Sequence, residues 1–97
     1  MTQKLFAIVA HDNPGGSAAR KQYRDGHLDH FRQIASSIAV AGPLIDGNGD
    51  SAGSLIIVKA DSARAALQLL DGDPFVSKGV WSEFDVKAFK AASGEWV

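Results

Sequence analysis

The sequence predicts an α+β fold of the ferredoxin-like type, βαββαβ, with two helices on one face of a four-stranded antiparallel sheet. Three observations predict it: four short β-rich runs bounded by turn formers, two stretches of helical period, and their order along the chain. The size agrees, since 97 residues suit a single domain spanning 1–97 and leave no room for a second core. Hydrophobic residues at 45% and charged residues at 22% are the balance of a chain that folds.

The first run, Leu5 to Ala10, is β-branched and aromatic and ends at His11-Asp-Asn-Pro-Gly-Gly16, a cluster of turn formers, so a strand and then a loop are expected. A helical stretch follows from about Ser17, with Asp25-Gly26 read as a break near its middle and the strongest periodicity from His27 to Ile38. At ~100° per residue Leu28, Phe31, Ile34, Ala35 and Ile38 share one arc, with Asp29, Arg32, Gln33 and Ser36 opposite. Ala39 to Ile45 reads as a second strand, Asp46 to Gly53 as a connection tolerant of positive φ, and Ser54 to Lys59 as a third strand. Asp61 or Ser62 caps the next helix, which turns Ala63, Ala66, Leu67 and Leu70 inward and ends at Gly72. Asp73-Pro-Phe75 opens a short irregular segment through Gly79. Val80 to Phe89 alternates as a last strand, with Val80, Phe84, Val86 and Ala88 on one side and Glu83, Asp85 and Lys87 on the other.

The first and third strands are apolar on both faces. Leu5, Ala7 and Val9 alternate with Phe6, Ile8 and Ala10, and Leu55 and Ile57 with Ile56 and Val58. A sheet with one wet face does not look like that, so the helix-free face is expected to meet a second copy, giving a homodimer packed sheet to sheet. Ten Lys+Arg against eleven Asp+Glu give a net charge of -1 without a basic block, which speaks against a nucleic-acid partner. Zero cysteines exclude disulfides, thiolate metal sites and a thiol nucleophile. No apolar run approaches the ~18 residues that cross a bilayer, so the reading is of a soluble, cytoplasmic protein without a membrane partner.

His27 is the most informative residue. It falls inside the apolar arc of its helix, one turn before Phe31, and with Asp25 as N-cap it would lie in the first turn, where the dipole favours a neutral ring suited to a general base. The alternative is a core histidine satisfied by a backbone carbonyl. Asp73 is equally double: a cap before Pro74, or the carboxylate that accepts an imidazole N–H and fixes its tautomer. Ser54 and Ser77 are available hydroxyls that spacing does not select, and Ser54 is carried as a substrate contact. His27 and His30 at i, i+3 give only a weak metal signal, and His11 is a loop residue or pocket rim. Arg24 either holds an anionic substrate by its fork or belongs, with Arg20 and Lys21, to a solvated helix face. The glycines match no phosphate-binding spacing, and no cofactor is implied.

Arg24-Asp-Gly-His27-Leu28, Ala41-Gly-Pro-Leu44, Asp73-Pro-Phe75 with Gly79-Val80, and Val86-Lys-Ala-Phe89 together resemble the YCII-related (YciI-like) family. The resemblance runs through almost the whole chain in order and length. It implies a dimeric α+β barrel and a His27–Asp73 pair facing a common pocket as catalytic residues. It also implies chemistry without one settled reaction, since most members have none assigned and one resembling enzyme type removes chloride from a chlorinated hydroxyhydroquinone. The first loop, with His11-Asp12 and Gly15-Gly16, and the polar Asn48-Gly-Asp50 loop depart from YciI relatives, and loops set substrate choice. Two functions are therefore expected to compete. One is a cofactor-independent lyase, dehydrohalogenase or isomerase in which His27 moves a proton, Asp73 orients it and Arg24 binds an oxyanion. The other is a non-catalytic dimeric metabolite-binding or accessory module.

Overall fold

The computed structural model describes residues 4–95. β1 (Lys4–Asp12) lies inside the sheet, antiparallel to β3 (Ser51–Ala60) on one side and to β4 (Trp81–Phe89) on the other. β2 (Ile38–Ile45) forms the outer edge as the hairpin partner of β3. The resulting order, β2-β3-β1-β4, is that of a ferredoxin-like sheet, as the chain order predicts. Among the described residues three α-helices join the sheet: α1 (Gly16–Gln33), α2 (Ala63–Gln68) and the one-turn α3 (Pro74–Ser77). No helix of the described residues is long and apolar enough to cross a membrane.

Strand alternation builds the core. Phe6, Ile8 and Ala10 of β1 and Ile56, Val58 and Ala60 of β3 point to the helix side, where Ala66, Leu70 and Phe75 cover them and Ala19, Tyr23 and Phe31 of α1 pack alongside. The odd positions take the other face: Leu5, Ala7 and Val9 pair with Lys59, Ile57 and Leu55, and Val40 of β2 stands beside Ile57. No helix of the described residues covers that face, and Val40 and Leu44 are 37% and 40% exposed.

Several boundaries differ from the sequence reading: β1 runs on through His11 and Asp12, which pair with β4 instead of lying in a loop, α2 ends at Gln68, and others move for local reasons. Asp25-Gly26 does not break α1, which is continuous over 18 residues. A Cβ on Gly26 would lie 2.9 Å from Cγ of Pro74, so this glycine serves the close approach of α1 to α3 and not a turn. The helix stops at Gln33, a 3-10 turn fills Ala35–Ser37, and Ile38 is already the first residue of β2, opposite Val58. β3 starts three residues early because Asp46 closes the hairpin, its Oδ1 accepting from the N–H groups of Asn48 and Asp50 at 2.8 and 3.1 Å. The segment after Asp73 is a turn of helix instead of irregular chain, with Asp73 as N-cap and Pro74 in its first turn. The cap of α2 is Ser62, whose hydroxyl accepts from Ala65 N–H at 3.0 Å.

Candidate functional site

The site forms where α1 passes over α3 and the β2–β3 hairpin. Because α1 runs through Gly26, His27 sits about three turns inside the helix, and the first-turn dipole expected for it does not act. What surrounds the imidazole instead is aromatic. It stacks on Phe75 with centroids 3.9 Å apart and planes 3° off parallel, tilts against Phe31 at 4.3 Å, and meets Trp81 edge-on at 5.4 Å.

Gly72, at φ +92°, turns the chain out of α2 and delivers Asp73 to the ring. Asp73 is fully buried, and its two oxygens divide the two readings made of it. Oδ1 accepts from Phe75 N–H at 2.9 Å and caps α3; Oδ2 faces His27 Nδ1 at 2.7 Å. A carboxylate only accepts, so Nδ1 donates, and in the neutral ring it is Nε2 that keeps a lone pair. Nε2 has no hydrogen-bond partner among the described residues and is not sealed from solvent. His27 lines a cleft of about 530 Å³, whose walls also include Arg20, Arg24, Pro43, Ser54 and Phe75.

The other expected site residues divide between cleft and elsewhere. Ser54 is in the wall, 7% exposed, and its hydroxyl oxygen accepts from Arg20 Nη2 at 3.2 Å. Arg24 stands at the mouth, exposed and without a hydrogen bond among the described residues. His11 is not in the cleft: strand alternation puts it with Leu5, Ala7 and Val9 on the helix-free face, where Nε2 meets Asp85 Oδ2 at 2.8 Å. His30 points away from His27 and donates from Nε2 to the Leu69 carbonyl at 2.7 Å. Among the described residues no three metal-ligating side chains gather.

One constellation was not singled out from sequence. Arg20 forms a fork on Asp12, Nε to Oδ2 at 2.6 Å and Nη2 to Oδ1 at 2.9 Å, and Nη2 also donates to the Gly53 carbonyl at 2.9 Å. Its Cζ lies 5.3 Å from the Phe75 ring centroid. The signal was present in the spacing: seven residues before His27 is about 700°, within ~20° of the same face, whereas Arg24, three before, is turned ~60° aside.

A family model described as YCII-related domain matches residues 4–90. The Escherichia coli protein YciI is 32% identical over 94 residues, covering 89% of this chain and 96% of that protein. An uncharacterised Haemophilus influenzae protein is 31% identical, covering 88% and 95%. Among solved structures, 5-chloro-2-hydroxyhydroquinone dehydrochlorinase from Burkholderia phenoliruptrix AC1100, in complex with 2,5-dihydroxybenzoquinone, superposes with a TM-score of 0.81 at 27% identity, over 91% of this chain and 95% of that one. A Pseudomonas aeruginosa structure, PA3566, shares the fold at a TM-score of 0.52 and 11% identity, covering 96% and 97%.

Proposed function

This chain belongs to the YCII-related domain family, and from that premise we propose that it is a small-molecule enzyme in which His27, oriented by Asp73, moves a proton at Nε2. The observation that carries the reading is the 2.7 Å contact between a fully buried carboxylate and the imidazole of a cleft-lining histidine whose other nitrogen has no partner among the described residues. Capping α3 uses only Oδ1 of Asp73, which leaves Oδ2 to orient the imidazole.

In this reading Asp73 holds the tautomer and balances the charge that His27 gains as it takes a proton from a substrate O–H or C–H. Phe75 and Phe31 hold the ring in place, so the base does not reorganise during the step. The substrate class is a small phenolic or cyclic compound, and the reaction a lyase, dehydrohalogenase or isomerase type. The similar dehydrochlorinase supports that class, because removing a proton and a chloride needs a base and no oxidant. The active form is a homodimer closed through the helix-free sheet face, whose apolar centre supports it.

The test is chloride release from 5-chloro-2-hydroxyhydroquinone and loss of substrate absorbance on a panel of hydroxylated aromatics and cyclic enones. His27→Asn is expected to lower turnover by about 100-fold or more with circular dichroism and sedimentation unchanged. Equal turnover by wild type and His27→Asn removes the proposal. A wild-type protein that binds 2,5-dihydroxybenzoquinone but turns over no member of the panel favours a binding module in its place.

A further inference from the structure

Arg20, in the wall of the cleft, forms an ion pair with Asp12 behind it, the side chains only 14% and 9% exposed. Burying two charges costs desolvation, and apolar residues of similar volume serve stability as well or better, so stability alone is a poor reason for this pair. Its geometry supplies another. Nε and Nη2 are occupied by Asp12, the Gly53 carbonyl and Ser54, which fixes the guanidinium plane. Nη1 makes no hydrogen bond among the described residues and is not sealed from solvent. Ser54 Oγ accepts from Arg20, so its own O–H remains to donate. His27 stacks on the same Phe75 ring that Arg20 overlies, at 3.9 and 5.3 Å from its centroid, so imidazole and guanidinium lie no more than about 9 Å apart. Both side chains line the one cleft, so a single small ligand there meets both. Lys21 and Arg24 at the mouth add positive charge to the approach.

We propose that Arg20 is the anion-recognition residue of the cleft, holding through Nη1, with the Ser54 hydroxyl as second donor, an ionised oxygen on a single flat ring. The ligand is a phenolate or enolate, the form that proton removal by His27 uses or generates, so the inference deepens the small-molecule reading above and rests on it. Arg24, exposed and without a hydrogen bond among the described residues, draws anions to the mouth; Arg20, oriented before the ligand arrives, binds them.

The probe is 4-nitrophenol, which absorbs in the visible only when ionised. Bound beside Arg20 it ionises at lower pH than free, and the half-ionisation point of the wild-type complex is expected to fall by about one unit. Removing Arg20 alone strands Asp12, so the test variant is Asp12→Asn with Arg20→Gln, which takes both charges away together. It should abolish the shift and weaken phenolate binding about tenfold or more. Arg20→Lys, whose ammonium turns to Asp12 and has no second fork nitrogen, should lose the shift as well, and carries the test if the double variant does not fold. Arg24→Gln should keep the shift and weaken binding no more than about threefold. The proposal is overturned by a shift that survives in both Arg20 variants, by one that vanishes in Arg24→Gln, or by wild-type protein that gives no shift at millimolar probe. His27→Asn separates this from the base reading: it should keep the nitrophenolate shift, and if its turnover is also intact, the base reading has failed while Arg20 recognition stands.

Discussion

At the scale of the residue, one carboxylate performs two jobs, and that decides how its removal is to be read. Asp73→Ala takes the cap from Phe75 N–H and leaves the His27 Nδ1–H without its acceptor in a buried position, so it should cost about 2 kcal/mol or more in urea denaturation. Because the partners touch at 2.7 Å, the costs of His27→Ala and Asp73→Ala should fail to add by about 0.5–3 kcal/mol in the double variant. Additive costs would place the two side chains apart in solution. Asp73→Asn separates the jobs. Its amide oxygen still caps α3, while its NH₂ donates to Nδ1 and forces the proton onto Nε2, the wrong tautomer for a base, so turnover should fall about 100-fold or more at small cost in stability. His27 and Asp73 were each legible from sequence, one from its place on the helical arc and the other from Pro74 behind it. Their contact was not, because 46 positions separate them and only the family resemblance joined them. Arg20 was passed over because a charged residue on a helix reads as solvated until its strand-end partner, Asp12, is seen beside it.

Among the elements, the crossing of α1 over α3 places the chemistry, and Gly26 permits it. In a free helix Gly26→Ala would add about 1 kcal/mol of stability. Here the new Cβ meets Cγ of Pro74 at 2.9 Å, and the rigid proline ring gives way only by moving α3. The net effect should therefore be a loss of about 1–3 kcal/mol in thermal or urea unfolding. Turnover should fall too, because α3 carries Phe75 and is capped by Asp73. Adding Pro74→Ala should restore much of the stability; a stabilised Gly26→Ala protein would show that the helices do not approach this closely. The same glycine misled the sequence reading. Asp-Gly is a turn signal taken locally, and only the tertiary crossing converts it into a contact surface. Strand positions, by contrast, were legible because period-2 alternation and turn chemistry act within a few residues. Boundaries moved where a side chain such as Asp46 closed the chain earlier than composition suggests.

For the whole molecule, the helix-free face of the sheet remains to be covered. Val9 pairs with Leu55 and Ala7 with Ile57 at its centre, Val40 and Leu44 extend it across β2, and β4 borders it with Glu83, Asp85 and Lys87. An apolar centre with a rim carrying both signs of charge suits a two-fold pairing, where each rim meets its own image reversed. Wild-type protein should sediment as a dimer at micromolar concentration. Leu55→Glu puts a carboxylate at the centre of that face, where a partner copy would strip its water without supplying a cation, and should shift the protein to monomer with its far-UV circular dichroism preserved. Lys87→Glu, at the rim, should weaken the dimer far less, by about 1 kcal/mol at most, because a rim charge stays solvated. This difference between centre and rim is the informative result. A dimer indifferent to Leu55→Glu but sensitive to Lys87→Glu would place the interface along β4 and leave the apolar centre to another occupant, and a wild-type monomer would remove the partner copy altogether.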